Sequence, residues 1–250
     1  MALDDFLTRL DEELLNHSVI TNNKYCNWFR DTHLILEDIR YFTQQFSVFS
    51  NQFMIAQLLK VINAIDLDEA RAGKEVLANE LGVAFTPDGT VNEGKYRFES
   101  AHFEWFVKFA EPLGLTFNDI GRREHGDPHT LFFCNELSRI YGNEDFNVSA
   151  GASFAVENWA AAGFWKDLIA GLEKFKTRYS LNLPLGFFTW HDKIEDQHAE
   201  HTKEEMITLY NEHNLNEDLF IKAGNEMLDG VEAFWIGLDQ ERITREHYEH

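Results

Sequence analysis

The sequence is organised around one stretch, WHDKIEDQH at positions 190–198. It lies within residues 185–214, which contain no Pro and a single Gly near the start, so we expect one long helix there. At 3.6 residues per turn, His191, Glu195 and His198 project from one stripe of that helix. Helical bundles build metal sites from such stripes of imidazole and carboxylate groups. A solvated acidic face is the alternative, because other acids crowd the same helix.

The composition predicts an all-α protein. Of the 250 residues, 44% are hydrophobic and 14% are aromatic, which is enough for one large domain with a substantial core. Only four Pro and fifteen Gly interrupt long stretches of helix-forming residues. No linker composition divides the chain, so we expect a single domain over residues 1–250.

The charge and the cysteines restrict the function classes. The formal net charge is −21, which repels nucleic acid and anionic membranes, so we expect neither as a partner. The sequence has no basic, apolar leader at its start and no apolar run of the ~20 residues that span a bilayer. Cys26 and Cys134 lie among apolar residues, which favours reduced, buried thiols over a disulfide. These features together predict a soluble, cytoplasmic protein.

Apolar periodicity predicts the helices. Turn signals such as Asn22-Asn23 and Thr86-Pro87-Asp88-Gly89 separate them, and no pair of segments alternates as strands do. We predict helical segments over about 3–16, 24–49, 51–65, 67–81, 94–113, 128–141, 147–179, 185–214 and 216–245.

Three of these helices carry the same kind of chemistry. Glu99 and His102 form one Glu-x-x-His pair, Glu195 and His198 form a second, and Glu157 is a single acid among apolar residues. A carboxylate in such surroundings is costly unless it is paired or bound to metal. Di-iron carboxylate bundles use two Glu-x-x-His pairs plus single glutamates. The alternatives remain that such pairs arise by chance in an acidic helical chain, and that Glu157 pairs with a basic side chain.

The predicted metal ligands are therefore three carboxylates and three imidazoles, with a His in the place of one glutamate. This mixture suits iron or manganese better than zinc, because six ligands exceed the usual closed zinc set. The six are Glu99, His102, Glu157, His191, Glu195 and His198.

Four blocks carry a resemblance to a known family. They are NELG at 79–82, ESAHFEW at 99–105, Glu157 with the following Phe164-Trp165, and HDKIEDQH at 191–198. On these blocks, residues 20–235 resemble the heme-oxygenase-like di-iron oxidases and oxygenases. This family includes a chlamydial protein that forms p-aminobenzoate and an alkene-forming fatty-acid decarboxylase, within the TenA/PqqC-like superfold. The chain departs from the family in having Glu195 where Asp is usual.

The resemblance implies a heme-oxygenase-like bundle of about seven helices that binds two iron ions, with manganese possible at one or both sites. Glu99 and His102 would hold one ion, the stripe on 191–198 would hold the other, and Glu157 would bridge them. The implied activity is an iron-dependent oxidoreductase that uses O2 as co-substrate and an external electron donor. A homodimer is common for bundles of this type. No catalytic residue beyond the ligands is assigned.

The implied substrate is a small carboxylate or an amine-containing metabolite that undergoes oxidative decarboxylation, C–C cleavage or N-oxygenation. We expect the substrate to bind in an apolar pocket that is lined by Phe46, Phe49, Phe106 and Phe188. Two other hypotheses stay open: a metal-free, TenA/PqqC-like enzyme of cofactor metabolism, and a non-catalytic interaction protein. The first needs a Cys nucleophile or a basic pocket, and the second would turn the six ligands outward.

Overall fold

The computed structural model describes residues 3–83, 99 and 101–248, without the side chains of 195–198 and 246–248. Across these residues the chain forms helices and no strands, so the all-α prediction is confirmed. None of the helices in the described ranges is long and apolar enough to cross a membrane. Cys26 and Cys134 are free and buried, as the sequence predicts.

The described part of the chain contains ten helices of at least eight residues and one short helix. Three 3-10 turns over Glu111–Leu113, Phe117–Asp119 and Arg123–His125 connect the helix over His102–Ala110 to the helix over Pro128–Glu136. A π-helical turn over Leu137–Tyr141 extends the second of these helices. The helices are α1 (Leu3–Glu13), α2 (Ser18–Thr21), α3 (Lys24–Asp31), α4 (Leu36–Ile62), α5 (Leu67–Glu80), α6 (His102–Ala110), α7 (Pro128–Glu136), α8 (Phe146–Ala161), α9 (Phe164–Tyr179), α10 (Gly186–Glu212) and α11 (Glu217–Tyr248).

The structure divides the predicted helix over 24–49 into two. It also has no break between residues 49 and 51, where the sequence predicts one. The predicted helices over 24–49 and 51–65 become α3 and the 27-residue α4. The break lies at residues 32–35, where the Asp38 carboxylate accepts a hydrogen bond from the Ile35 N–H at 3.0 Å and so starts a new helix. The break contains neither Gly nor Pro, and therefore gives no strong signal in the sequence.

The predicted helix over 147–179 also divides into two. Gly163 has a φ of 95°, a left-handed conformation that glycine adopts without strain, and it turns the chain between α8 and α9. The predicted helix over 94–113 is represented by α6 and the 3-10 turn that follows it, while residues 94–98 and 100 lie outside the described part.

Helix α8 runs through the centre of the molecule. Every residue from Ser149 to Val156 is buried, which is the pattern of a helix covered on all sides. It packs closely on α11 at Gly151, where a Cβ atom would overlap the backbone carbonyl of Phe220. The close approach of these two helices fixes α8, and with it Glu157, which follows directly after the buried run.

We expect Gly151→Ala to lower the free energy of unfolding by about 1–3 kcal/mol, because the added methyl group meets backbone that cannot rotate away. Urea unfolding followed by circular dichroism measures the change. Gly186→Ala is the matched control, since nothing lies within 4 Å of a Cβ there. Equal stability of the two variants would mean that the α8–α11 contact is not tight.

Candidate metal centre

Three side chains from different helices converge on one point. Glu80 is the last residue of α5, His102 is the first of α6, and His191 lies in the second turn of α10. One ligand atom from each of the three lies within 4.8 Å of the other two. A carboxylate and two imidazoles at this spacing can bind one metal ion.

The contact between His102 and Glu80 has the geometry of two ligands that share an ion. His102 Nδ1 lies 3.0 Å from Glu80 Oε1, yet Nδ1 is buried and makes no hydrogen bond to any described group. Two ligand atoms bound at about 2.1 Å and at right angles around one ion are separated by about 3.0 Å. The distance between His102 Nδ1 and Glu80 Oε1 is therefore that of two ligands of one ion. The two atoms are not aligned as a hydrogen-bond donor and its acceptor. The donor set present here fits a first-row transition metal.

His191 is held in one orientation by its surroundings. Its Nδ1 lies 2.7 Å from the carbonyl oxygen of Phe187, so Nδ1 carries the proton and donates. Its ring stacks on Trp165 with 4.8 Å between centroids and contacts the Phe187 ring at 4.3 Å. A backbone acceptor on one ring nitrogen fixes the tautomer and makes Nε2 the nitrogen that is able to bind a metal ion, as is usual for metal-binding histidines.

The three ligand candidates open onto a cavity of about 90 Å³ with mainly aromatic walls. Phe46 and Phe49 line it, as expected from the sequence. Phe106 and Phe188 do not line it; both are fully buried behind the wall, and Phe187 takes their place. Such walls keep bulk water away from the converging ligands.

The other predicted ligands fall into three groups. Glu157 lines the same cavity as His102 and His191. Glu195 and His198 lie on α10 one and two turns after His191, and their side chains are outside the described part. Glu99 is exposed and is not among the residues that line the cavity; its backbone carbonyl accepts a hydrogen bond from the Trp105 indole at 2.8 Å. The ligand role of Glu99 stays a prediction.

Glu80 is the ligand candidate that sequence reasoning missed. It stands in the NELG block at 79–82 and is the last residue of α5, but it is 22 positions away from His102. Helical periodicity relates residues within one helix and carries no information across the intervening loop. Its position two residues before Gly82 was the available signal, and that signal alone indicates a helix end, not a ligand.

Two tryptophans in the wall of the cavity have indole N–H groups without a hydrogen-bond partner among the described residues. They are Trp159 and Trp165, and the Nε1 atom of each is buried. Buried indole N–H groups normally find a partner. Both nitrogen atoms are covered by protein and do not reach the open space of the cavity.

A second, polar pocket of about 50 Å³ lies on the other side of Glu157, which lines both spaces. Its main feature is Lys60, whose Nζ donates to Ser153 Oγ at 3.0 Å and to Glu205 Oε2 at 3.1 Å. Burial by itself would lower the pKa of Lys60, but the Glu205 carboxylate, together with Tyr141 and Glu69, outweighs burial and raises this pKa above the ordinary range. Lys60 therefore stays cationic and balances the acids around Glu157.

Comparisons with known proteins identify the fold. No protein-family model matches the chain, and no curated protein sequence matches it. Among solved structures, it is similar to a domain with a heme oxygenase-like fold from Shewanella denitrificans, with 15% identity, a TM-score of 0.63 and coverage of 97% of this chain and 92% of that one.

Two further structures give the same result. A TenA homolog from Pseudomonas syringae pv. tomato has 14% identity and a TM-score of 0.63, with 95% of this chain and 92% of that chain covered. A CADD-like protein from Nostoc punctiforme has 17% identity and a TM-score of 0.64, with 95% of both chains covered. The chain therefore has a heme-oxygenase-like all-α fold, and at these identities the likeness extends to the fold alone.

We expect Lys60→Met to lower the free energy of unfolding by about 3 kcal/mol, because it leaves the Glu205 carboxylate without its partner. Chemical denaturation at neutral pH measures this loss. The double variant Lys60→Met/Glu205→Met should recover most of it, and Lys74→Met, at an exposed lysine, is the control. A double variant as unstable as Lys60→Met would contradict the charge-balance explanation.

Proposed function

We propose that this protein is a non-heme di-iron enzyme that activates O2 to oxidise a small carboxylate or an amine-containing metabolite. The observation that carries the proposal is the convergence of Glu80, His102 and His191, within 4.8 Å of one another, on an aromatic cavity. A cavity of this kind with a few converging polar groups is the usual form of a small-molecule site.

The chain offers ligands for two ions. Glu80, His102 and His191 supply the first group, and Glu157 lines the same cavity from α8. Glu195 and His198, which follow His191 on α10, would hold the second ion, as the resemblance implies. When bound, two iron ions, or manganese at one or both positions, supply O2 binding and one-electron redox chemistry.

The protein's own residues exclude water and orient the substrate. Phe46, Phe49 and Phe187 line the cavity and leave little room for solvent. The rings of Trp159 and Trp165 complete these walls, so the substrate would be held in the remaining space beside Glu80, His102 and His191. Oxidative decarboxylation, C–C cleavage and N-oxygenation are the reaction classes compatible with such an arrangement.

A metal-free, TenA-like enzyme of cofactor metabolism is the second candidate, and the fold likeness to a TenA homolog favours it. A thiol nucleophile for that chemistry has to be accessible and readily ionised. Burial raises the pKa of Cys26 well above its usual range and that of Cys134 to about 11. Neither thiol lines the aromatic cavity. A non-catalytic interaction protein has less support, since Glu80, His102 and His191 converge on a cavity.

Anaerobic titration with ferrous iron tests the proposal. We expect the wild-type protein to bind two iron ions and to give a transient visible band when O2 is added with a substrate of the right class. Glu80→Gln should weaken iron binding at least about tenfold, because it removes a charged ligand. Glu111→Gln, at an exposed glutamate that does not line the cavity, is the matched control and should bind iron like the wild type.

Binding of no more than stray iron, with no transient band for any candidate substrate, would rule out the di-iron function. Loss of iron in Glu99→Gln but not in Glu80→Gln would instead assign the ligand that the sequence pattern predicts.

The cysteines separate the two candidate functions. We expect Cys134→Ala and Cys26→Ala to bind iron like the wild-type protein, because both thiols are buried outside the cavity. We also expect the native thiols to react slowly with an alkylating reagent at pH 8, since only about 0.1% of a thiol with a pKa near 11 is ionised there. Fast alkylation coupled to loss of a hydrolytic activity would favour the TenA-like function.

A further inference from the structure

A cleft of about 440 Å³ lies on the outside of the molecule next to the candidate metal centre. Helix α6 contributes Trp105 and Lys108 to it, one turn apart, and helix α10 contributes Trp190 and Lys193 with the same spacing. Two helices thus each present one indole ring and one ammonium group to the same space.

The two indole rings form a corner. Their centroids are 5.8 Å apart and their planes meet at 79°. Trp190 is 38% exposed, a large exposure for the bulkiest apolar side chain. A corner of this shape can offer the face of one ring and the edge of the other to a flat aromatic molecule, and flat heteroaromatic rings stack well on aromatic side chains.

The charge of the cleft is opposite to that of the protein. The chain has 43 acidic and 22 basic residues, yet the charged residues that line the cleft are Lys108 and Lys193. Both are exposed, and neither forms an ion pair with a residue that the structure describes. Two lysines without a described acidic partner, beside two indoles, form a site for an anionic aromatic ligand.

We propose that this cleft binds a phosphorylated planar heteroaromatic cofactor, of the class of flavin mononucleotide. The isoalloxazine ring would lie in the corner of Trp105 and Trp190, and the phosphate would contact Lys108 and Lys193. A small dianion suits the cleft better than an acidic protein does. The net charge of −21 repels a large acidic surface, whereas the attraction of the two lysines acts over the ~8 Å screening length and so reaches a small anion in the cleft that they line.

The cleft also adjoins the metal ligands. The Trp105 ring stacks on His102 with 5.3 Å between centroids, and Trp190 lies 6.4 Å from the same imidazole. One aromatic ring therefore separates a ligand in the cleft from a residue of the candidate metal centre. This position is suited to an electron donor.

The donor role rests on the proposed function, whereas the binding site does not. A dihydroflavin in the cleft would give up two electrons and two protons and become the oxidised flavin. Metal ions held by Glu80, His102 and His191 would be the acceptor of these two electrons, with the Trp105 ring between the flavin and His102, and the two protons would leave to solvent from the open side of the cleft. The external electron donor expected for an oxidase of this kind would then be this flavin.

Titration of metal-free protein into flavin mononucleotide tests the site, with flavin fluorescence as the readout. We expect saturable quenching, because the flavin stacks on indole. Lys108→Gln/Lys193→Gln should weaken binding about tenfold, and Trp190→Leu should abolish most of the quenching. Lys74→Gln, at an exposed lysine of α5, is the matched control. Riboflavin, which lacks the phosphate, should bind about tenfold more weakly and without the salt dependence of the mononucleotide.

Absence of saturable quenching would overturn the proposal, as would equal binding of riboflavin or an unchanged affinity in the double lysine variant. Tighter binding of NADH than of the flavin would assign the cleft to a dinucleotide and overturn the flavin assignment. Circular dichroism verifies that each variant is folded, and all substituted side chains reach the surface. Since the titration uses no metal, its failure is distinct from a failure of the iron titration.

Discussion

A carboxylate and two imidazoles held within 4.8 Å of one another, next to an apolar cavity, are the constraint on which the rest of the structure depends. Taking such groups out of water is costly unless an ion or a hydrogen bond compensates them. His102 Nδ1 is buried and lies 3.0 Å from Glu80 Oε1 without a hydrogen bond to a described group. The proposed metal ion would compensate this nitrogen, and the packing around the cavity holds the three side chains close together.

The helices hold this arrangement through contacts far from the ligands. The close approach of α8 and α11 at Gly151 fixes the helix that carries Glu157. Glu157 then stands between two different environments, the aromatic cavity and the polar pocket of Lys60 and Glu205. Glu157 therefore has aromatic walls on one side and a pocket that contains the Lys60–Glu205 ion pair on the other.

Aromatic side chains connect the cavity to the surface. His191 stacks on Trp165 inside the bundle, while His102 stacks on Trp105, which faces the outer cleft. The same rings that orient the imidazoles therefore also form the walls of both spaces. In a strongly acidic protein, the two lysines at the cleft give the outer side of this aromatic layer a local positive charge.

The sequence by itself determined the helical class, the buried thiols and the ligand candidates that a single helix relates. His191, Glu195 and His198 follow from periodicity alone, and Glu157 follows from a charge in an apolar run. Only the tertiary structure decided that Glu80 meets His102, that Phe187 replaces Phe188 in the cavity wall, and that the chain breaks at residues 32–35. The physical reason is that periodicity fixes directions within one helix, whereas the packing of α5, α6 and α10 fixes which directions meet.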